Sequence, residues 1–138
     1  MPNVHEAPRI YPTFRCTDPD RMIAWLTNTV GFETHVAYRD DGGVTHAELA
    51  YGSAMIMLGR HRDDAHEALT GGAEARRTDA LYIAVDDPDA LHAALVAAGS
   101  EIVTPPYETD YGSREFAARD PEGGLWSFGT YWPKAGAS

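Results

Sequence analysis

A chain of 138 residues, 43% hydrophobic and 23% charged, suits one globular domain and excludes an intrinsically disordered chain. Its formal net charge of −10, with no Lys/Arg run to offset it, repels phosphate backbones and anionic lipid, so nucleic acid is not an expected partner; the acidic surface either serves solubility alone, the commoner case, or biases the ligand toward neutral or cationic molecules. The lone Cys16 excludes an intrachain disulfide and a cysteine-based zinc site, and fits a cytoplasmic protein.

Met1 to Pro8 has neither a basic start nor an apolar run, and no stretch approaches the ~18 apolar residues of a membrane span, so secretion and membrane insertion are not expected. The first strand is predicted over 10–16. Asp18 then supplies an N-cap and Pro19 the first helical position, where a missing N–H costs nothing. Met22, Ile23, Leu26 and Val30 recur at helical spacing, and Gly31 ends the helix. Strands are predicted over 32–38, 44–51 and 54–58, with turns at Asp41-Gly42-Gly43 and Gly52-Ser53. The polar, Gly-containing stretch 60–78 reads as a linker with room for a helical turn within 65–69.

The pattern then repeats. A strand over 80–85 leads to Asp87-Pro88 and a helix carrying Leu91, Leu95 and Ala98, stopped at Gly99. Strands follow over 101–104, 114–119 and 125–131, the last two joined by Asp120-Pro121-Glu122-Gly123-Gly124. The chain is thus two βαβββ modules, about 9–60 and 79–132, forming one α+β domain.

The paired modules, their Asp-Pro-Asp helix entries and Asp120-Pro121-Glu122-Gly123-Gly124-Leu125-Trp126-Ser127-Phe128 resemble the vicinal oxygen chelate superfamily of glyoxalases, bleomycin-resistance proteins and dioxygenases. Tyr111 to Phe116 with Trp126 to Gly129 are similar to its glyoxalase-like, bleomycin-resistance-like branch. The resemblance implies that each module's mixed sheet curls, that the sheets surround a cavity with helices packed outside, and that enzymes of the family hold a divalent metal there. It also implies ligands on the first and last strands of each module. Counting from the helix entries and hairpin turns places those positions at Tyr11, Met57, Ala80 and Ser127, and none is His, Asp or Glu. No metal and no other cofactor is therefore expected.

His46 and Glu48 alternate with Ala47 and Leu49, so they share one strand face, either lining a pocket, as Glu115 would in the second module, or solvated. Met55 and Met57 also share a face, with Tyr11 and Tyr82 nearby in the implied fold; they line a ligand site or pack as core. Tyr111 lies in a loop where a ring can cover a ligand, while Tyr131 and Trp132 suit a subunit contact. His61 and His66 sit beside Asp63, Asp64 and Glu67, but in a polar linker that offers no rigid metal shell.

The expectation is a metal-independent protein that binds a small organic ligand, such as an aromatic or basic antibiotic, through Tyr11, His46, Glu48, Met55, Met57, Tyr82, Tyr111, Glu115 and Ser127, and acts as a homodimer. The alternative is a metal-independent isomerase, lyase or cyclase using His46, Glu48, Glu115 or Tyr11 as acid/base groups. A metal-dependent glyoxalase or dioxygenase is the third reading.

Overall fold

The structure is a computed structural model that describes residues 6–75 and 77–134; of the Met1 to Pro8 stretch, residues 1–5 lie outside the described residues. The chain divides into two compact units, one spanning Pro8–Thr78 and the other built chiefly from Asp79 onward.

In the first unit, β1 (Thr13–Cys16) leads into α1 (Pro19–Ala24), then β2 (Glu33–Asp40), β3 (Gly43–Tyr51), β4 (Ala54–Arg60) and the short α2 (Ala65–Thr70). Asp18 caps α1 by accepting a hydrogen bond from the Arg21 N–H at 3.1 Å, with Pro19 in the first turn. The helix continues as a π-helical segment, Trp25–Val30, whose wider turn is closed by Gly31 N–H donating to the Leu26 carbonyl. Thr27 explains the change of pitch: its hydroxyl donates to the Ile23 carbonyl at 2.8 Å and competes with the backbone ladder. Gly31, at φ 110°, ends the segment in the left-handed region that an L side chain avoids.

The strand order is β1-β4-β3-β2, with β1 parallel to β4 and the other pairs antiparallel. Period-2 alternation divides the sheet into two faces. Ala47, Leu49, Ile56, Leu58 and Cys16 are buried on the side that α1 covers, against Met22 and Leu26. The opposite face carries Thr13, Arg15, Met55, Met57, Glu48 and His46, all but the exposed Thr13 half-buried.

The second unit repeats the plan. Here β5 (Ala80–Ala84), α3 (Pro88–Ala97), β6 (Glu101–Glu108), β7 (Arg114–Arg119) and β8 (Leu125–Gly129) form a sheet of order β5-β8-β7-β6. Asp87 caps α3 through the Ala90 N–H at 3.1 Å, as Asp18 does in α1. The core under α3 is a stack of rings, with Phe116 and Phe128 centred 5.0 Å apart and His92 meeting Phe116 edge-on at 5.4 Å. The β7–β8 turn is anchored by the buried Asp120, which accepts from Glu122 N–H, Gly124 N–H and the Trp126 indole N–H at 2.7–2.9 Å.

The curled sheets around a cavity expected from the resemblance are overturned: both sheets are open. In each, the first strand joins the last and the second strand is the far edge, so β1 and β2, or β5 and β6, never pair. Four strands are too few to close, since barrels whose interiors are filled by side chains need about eight. Two further differences concern length. β1 starts at Thr13, not at residue 10, and β6 runs on to Glu108 through Pro105 and Pro106, which an edge strand tolerates because it has N–H groups to spare. No helix is long and apolar enough to cross a membrane among the described residues.

Candidate functional site

Each sheet has one face packed under its helix, so the chemistry available to a ligand lies on the other. In the first unit that face is built along β3 and β4, where Glu48 is paired with Met57, Ala50 with Met55 and His46 with Gly59. The His46 ring reaches Glu48, Nε2 to Oε2 3.1 Å, and stacks against Tyr38 of β2 with centroids 6.1 Å apart. His46, Glu48, Met55 and Met57 are thus brought onto one surface, a soft apolar strip bordered by an imidazole and a carboxylate.

At one end of this face Arg15 is held between carboxylates. Its guanidinium donates to both Asp64 oxygens, at 3.2 and 3.4 Å, and to Glu67 at 3.2 Å. Glu67 also accepts from the Arg62 N–H at 3.2 Å and contacts His61 Nδ1 at 2.8 Å. Burial would raise the Glu67 carboxyl, but the bonds from His61, the Arg62 N–H and Arg15 outweigh it and hold the group below its ordinary range. Asp64 is lowered further, to about 2, by the Glu67 N–H and by Arg15. His61 is therefore tied into an ion-pair network pinning α2, while His66 is exposed. A shallow groove of about 510 Å³ runs beside this network, lined by His61, Arg62, Asp63, Glu67 and Gly71 among others.

In the second unit Tyr82, Glu115 and Ser127 share the face away from α3, since Tyr82 pairs with Ser127 and Glu115 with Gly129. The Tyr111 hydroxyl donates to Glu115 Oε2 at 2.8 Å, and the Tyr82 hydroxyl donates to the Tyr131 carbonyl at 2.7 Å. Burial and the Glu115 charge raise the Tyr82 phenol; the bond to Glu115 raises Tyr111. Gly129 is what lets these groups meet: a Cβ there would stand 2.5 Å from Glu115 Cγ and 2.7 Å from the Tyr82 hydroxyl.

Tyr11 falls outside this pattern. It precedes β1, and the residue opposite Met57 is Thr13; likewise Ala80 pairs with Leu125, and the residue opposite Ser127 is Tyr82. Pro12 sets the boundary, because it has no N–H to donate and only its carbonyl joins the ladder, accepting from the Met57 N–H at 2.9 Å. Thr13, Arg15 and Gly129 have no counterpart among the residues singled out from the sequence. The one sequence signal for Gly129 is a glycine inside an apolar strand run.

The strands that would carry ligands, β1, β4, β5 and β8, contain no His, Asp or Glu, and their one thiol, Cys16, is fully buried among the apolar side chains of the first unit's core. Thr13, Met57, Tyr82 and Ser127 offer two hydroxyls, a thioether and a phenol, which do not fit the imidazole and carboxylate set a divalent cation of this family needs. Among the described residues, no three His, Cys, Asp or Glu side chains come together in a way that could hold a metal.

Comparison with known proteins agrees with the duplicated topology. TioX from Micromonospora sp. ML1 is 28% identical, over 92% of this chain and 98% of its own, with a TM-score of 0.71. TnmS3, an antibiotic binding protein from Streptomyces sp. CB03234, superposes with a TM-score of 0.64 at 19% identity, covering 90% of this chain and 97% of its own. Lactoylglutathione lyase from Agrobacterium tumefaciens does so with a TM-score of 0.63 at 19% identity, covering 90% and 95%. A binder and an enzyme share the fold, so the fold alone does not decide between them. No curated protein sequence matches the chain. Residues 10–128 match the glyoxalase/bleomycin resistance protein/dioxygenase superfamily, and with nearly the whole chain covered the protein belongs to that family.

Proposed function

We propose that the protein binds a small, partly aromatic organic molecule of the antibiotic type, without a metal, on the sheet faces turned away from the helices. The observation that carries this reading is the composition of those faces: where the family's enzymes would need ligands, Met57, Tyr82 and Ser127 stand with Met55 beside them, half-buried or exposed. Thioethers and phenols adapt to irregular or planar apolar surfaces, and each Å² of ligand surface removed from water contributes roughly 25 cal/mol. The likeness to an antibiotic binding protein supports the same reading.

The test is equilibrium dialysis of chelator-treated protein against a panel of aromatic antibiotics, neutral and cationic. Retention of at least one compound, unchanged by the chelator and weakened by Met57→Asp, is the expected result. No retention across the panel overturns the proposal.

A single functional domain, with modules at 9–60 and 79–132 joined by 60–78, a homodimer and a cytoplasmic location complete the proposal. Light scattering on the eluting protein checks the dimer, and cell fractionation the location. The second reading, a metal-independent isomerase, lyase or cyclase, is favoured by the His46–Glu48 contact at 3.1 Å, an acid/base pair on the same surface. Turnover of a retained compound, abolished by His46→Gln, would establish it.

A further inference from the structure

Glu115 differs from the chain's salt-bridged carboxylates in the company it keeps. Asp20, Asp40, Asp64, Glu67, Asp89 and Glu108 are each paired with an arginine, and Glu48 with a histidine. Among the described residues Glu115 has no basic partner; its side chain accepts only the Tyr111 hydroxyl. Arg114, next to it in sequence, points to the other face and is taken up by Asp89 at 3.0 and 3.2 Å and by Glu108 at 3.6 Å. Arg119, farther along the same strand, donates to the Gly123 carbonyl.

What surrounds Glu115 instead is phenol. Tyr107 is its cross-strand partner on β6, Tyr111 bonds to it, and Tyr82 passes it over Gly129. Tyr131 meets the Tyr111 ring edge-on with centroids 5.8 Å apart. All four tyrosines are 40–61% exposed, so each leaves part of its side chain to a solute rather than to core packing. The Glu115 charge raises both the Tyr82 and the Tyr111 hydroxyls, which therefore stay neutral and keep their ring faces electron-rich. An aromatic face is the negative end of a quadrupole, and four of them beside an uncompensated carboxylate attract a cation and repel an anion.

We propose that Tyr82, Tyr107, Tyr111 and Tyr131 around Glu115 form a subsite for an organic cation, a protonated or quaternary amine. The proposal rests on the binding reading above and names the ligand class for the open face of the second unit. The probe is benzyltrimethylammonium, with benzyl alcohol as its neutral counterpart, each titrated by calorimetry at low and high salt. The cation is expected to bind at least tenfold more tightly than the alcohol, and salt should weaken it selectively. Glu115→Gln should weaken the cation about tenfold. Tyr111→Phe should change it less than Tyr111→Ala, because the ring face and not the hydroxyl makes the contact. Glu74→Gln, an exposed linker change that alters net charge equally, should leave it unchanged.

Equal affinity for the two probes, a salt-independent cation, or indifference to Glu115→Gln in a variant with wild-type circular dichroism overturns the subsite. If that happens while the antibiotic panel is still retained, the broader binding reading survives. If neither probe nor panel is retained, both fall.

Discussion

The two modules share a backbone and differ in what they do with it. Each joins its first strand in parallel to its last, enters its helix through Asp-Pro and places a glycine late in the last strand, Gly59 or Gly129. Gly59 pairs with Arg15 and His46, whereas Gly129 pairs with Ala84 and Glu115. Over the first glycine lies an arginine locked by carboxylates that pin the following helix; over the second lies a carboxylate ringed by phenols. Caps, turns and register persist because backbone hydrogen bonds demand them. The open-face side chains answer to no such demand, so the modules diverge there, and function is to be sought in that divergence.

The hairpin before the last strand is the strongest place to break the comparison. Gly52-Ser53 closes the first module's turn with exposed residues, while Asp120 carries three donors in a buried site in the second. Asp120→Ala leaves the Trp126 indole and two backbone N–H groups without an acceptor, and should cost about 3 kcal/mol in urea unfolding. Ser53→Ala should stay within about 0.5 kcal/mol. Equal losses at the two turns would show that the anchor is not what distinguishes them.

Next in size are the paired glycines. Gly129→Ala sets its methyl against Glu115 Cγ, close to the backbone and slow to yield, so about 2 kcal/mol of stability should be lost. The same change also pushes Glu115 and Tyr82 apart, so the cation subsite should be lost with it. At Gly59 the nearest atom is Arg15 Cδ at 3.1 Å, which needs to yield only a few tenths of an ångström, and Gly59→Ala should cost under about 1 kcal/mol. Thermal melts of the two variants decide the order, and the opposite order would break the comparison.

Much of this was legible in the sequence wherever a backbone rule leaves a residue signature. Asp18-Pro19 and Asp87-Pro88 mark both helix starts, and alternation puts His46, Glu48, Met55 and Met57 on one face. Features set by pairing rather than composition were not legible. Tyr11 looks like part of a strand, yet Pro12 stops the ladder before it, so the residue across from Met57 is Thr13. Curling depends on whether edge strands meet, which no local pattern records, and the expectation of curled sheets failed there. Tyr82, Tyr111 and Glu115 could be singled out one by one. Their convergence with Tyr107 and Tyr131 could not, because it depends on the β6–β7 register, on a ring contact across the loop and, for Tyr82 and Glu115, on a missing side chain at position 129.

The smallest effect sharpens the comparison at the first module's ion-pair network. Asp64 caps α2 through the Glu67 N–H and also receives Arg15 and Arg62, which together lower it from 3.8 to about 2. A carboxyl depressed in the folded state stabilises fully above its unfolded value, and that contribution is lost as pH falls through the folded one. The window therefore runs from about pH 4 down to about pH 2, and Glu67, also lowered, acts in the same direction. Amide exchange along 65–70 should lose protection across that window by more than the solvent's own pH effect. Asp64→Asn keeps an N-cap acceptor but removes the charge, so it should flatten the response while leaving α2 formed at neutral pH. A wild-type α2 equally protected at both ends of the window would mean that the helix is held by packing, and that the arginine and its carboxylates do not set the first module apart.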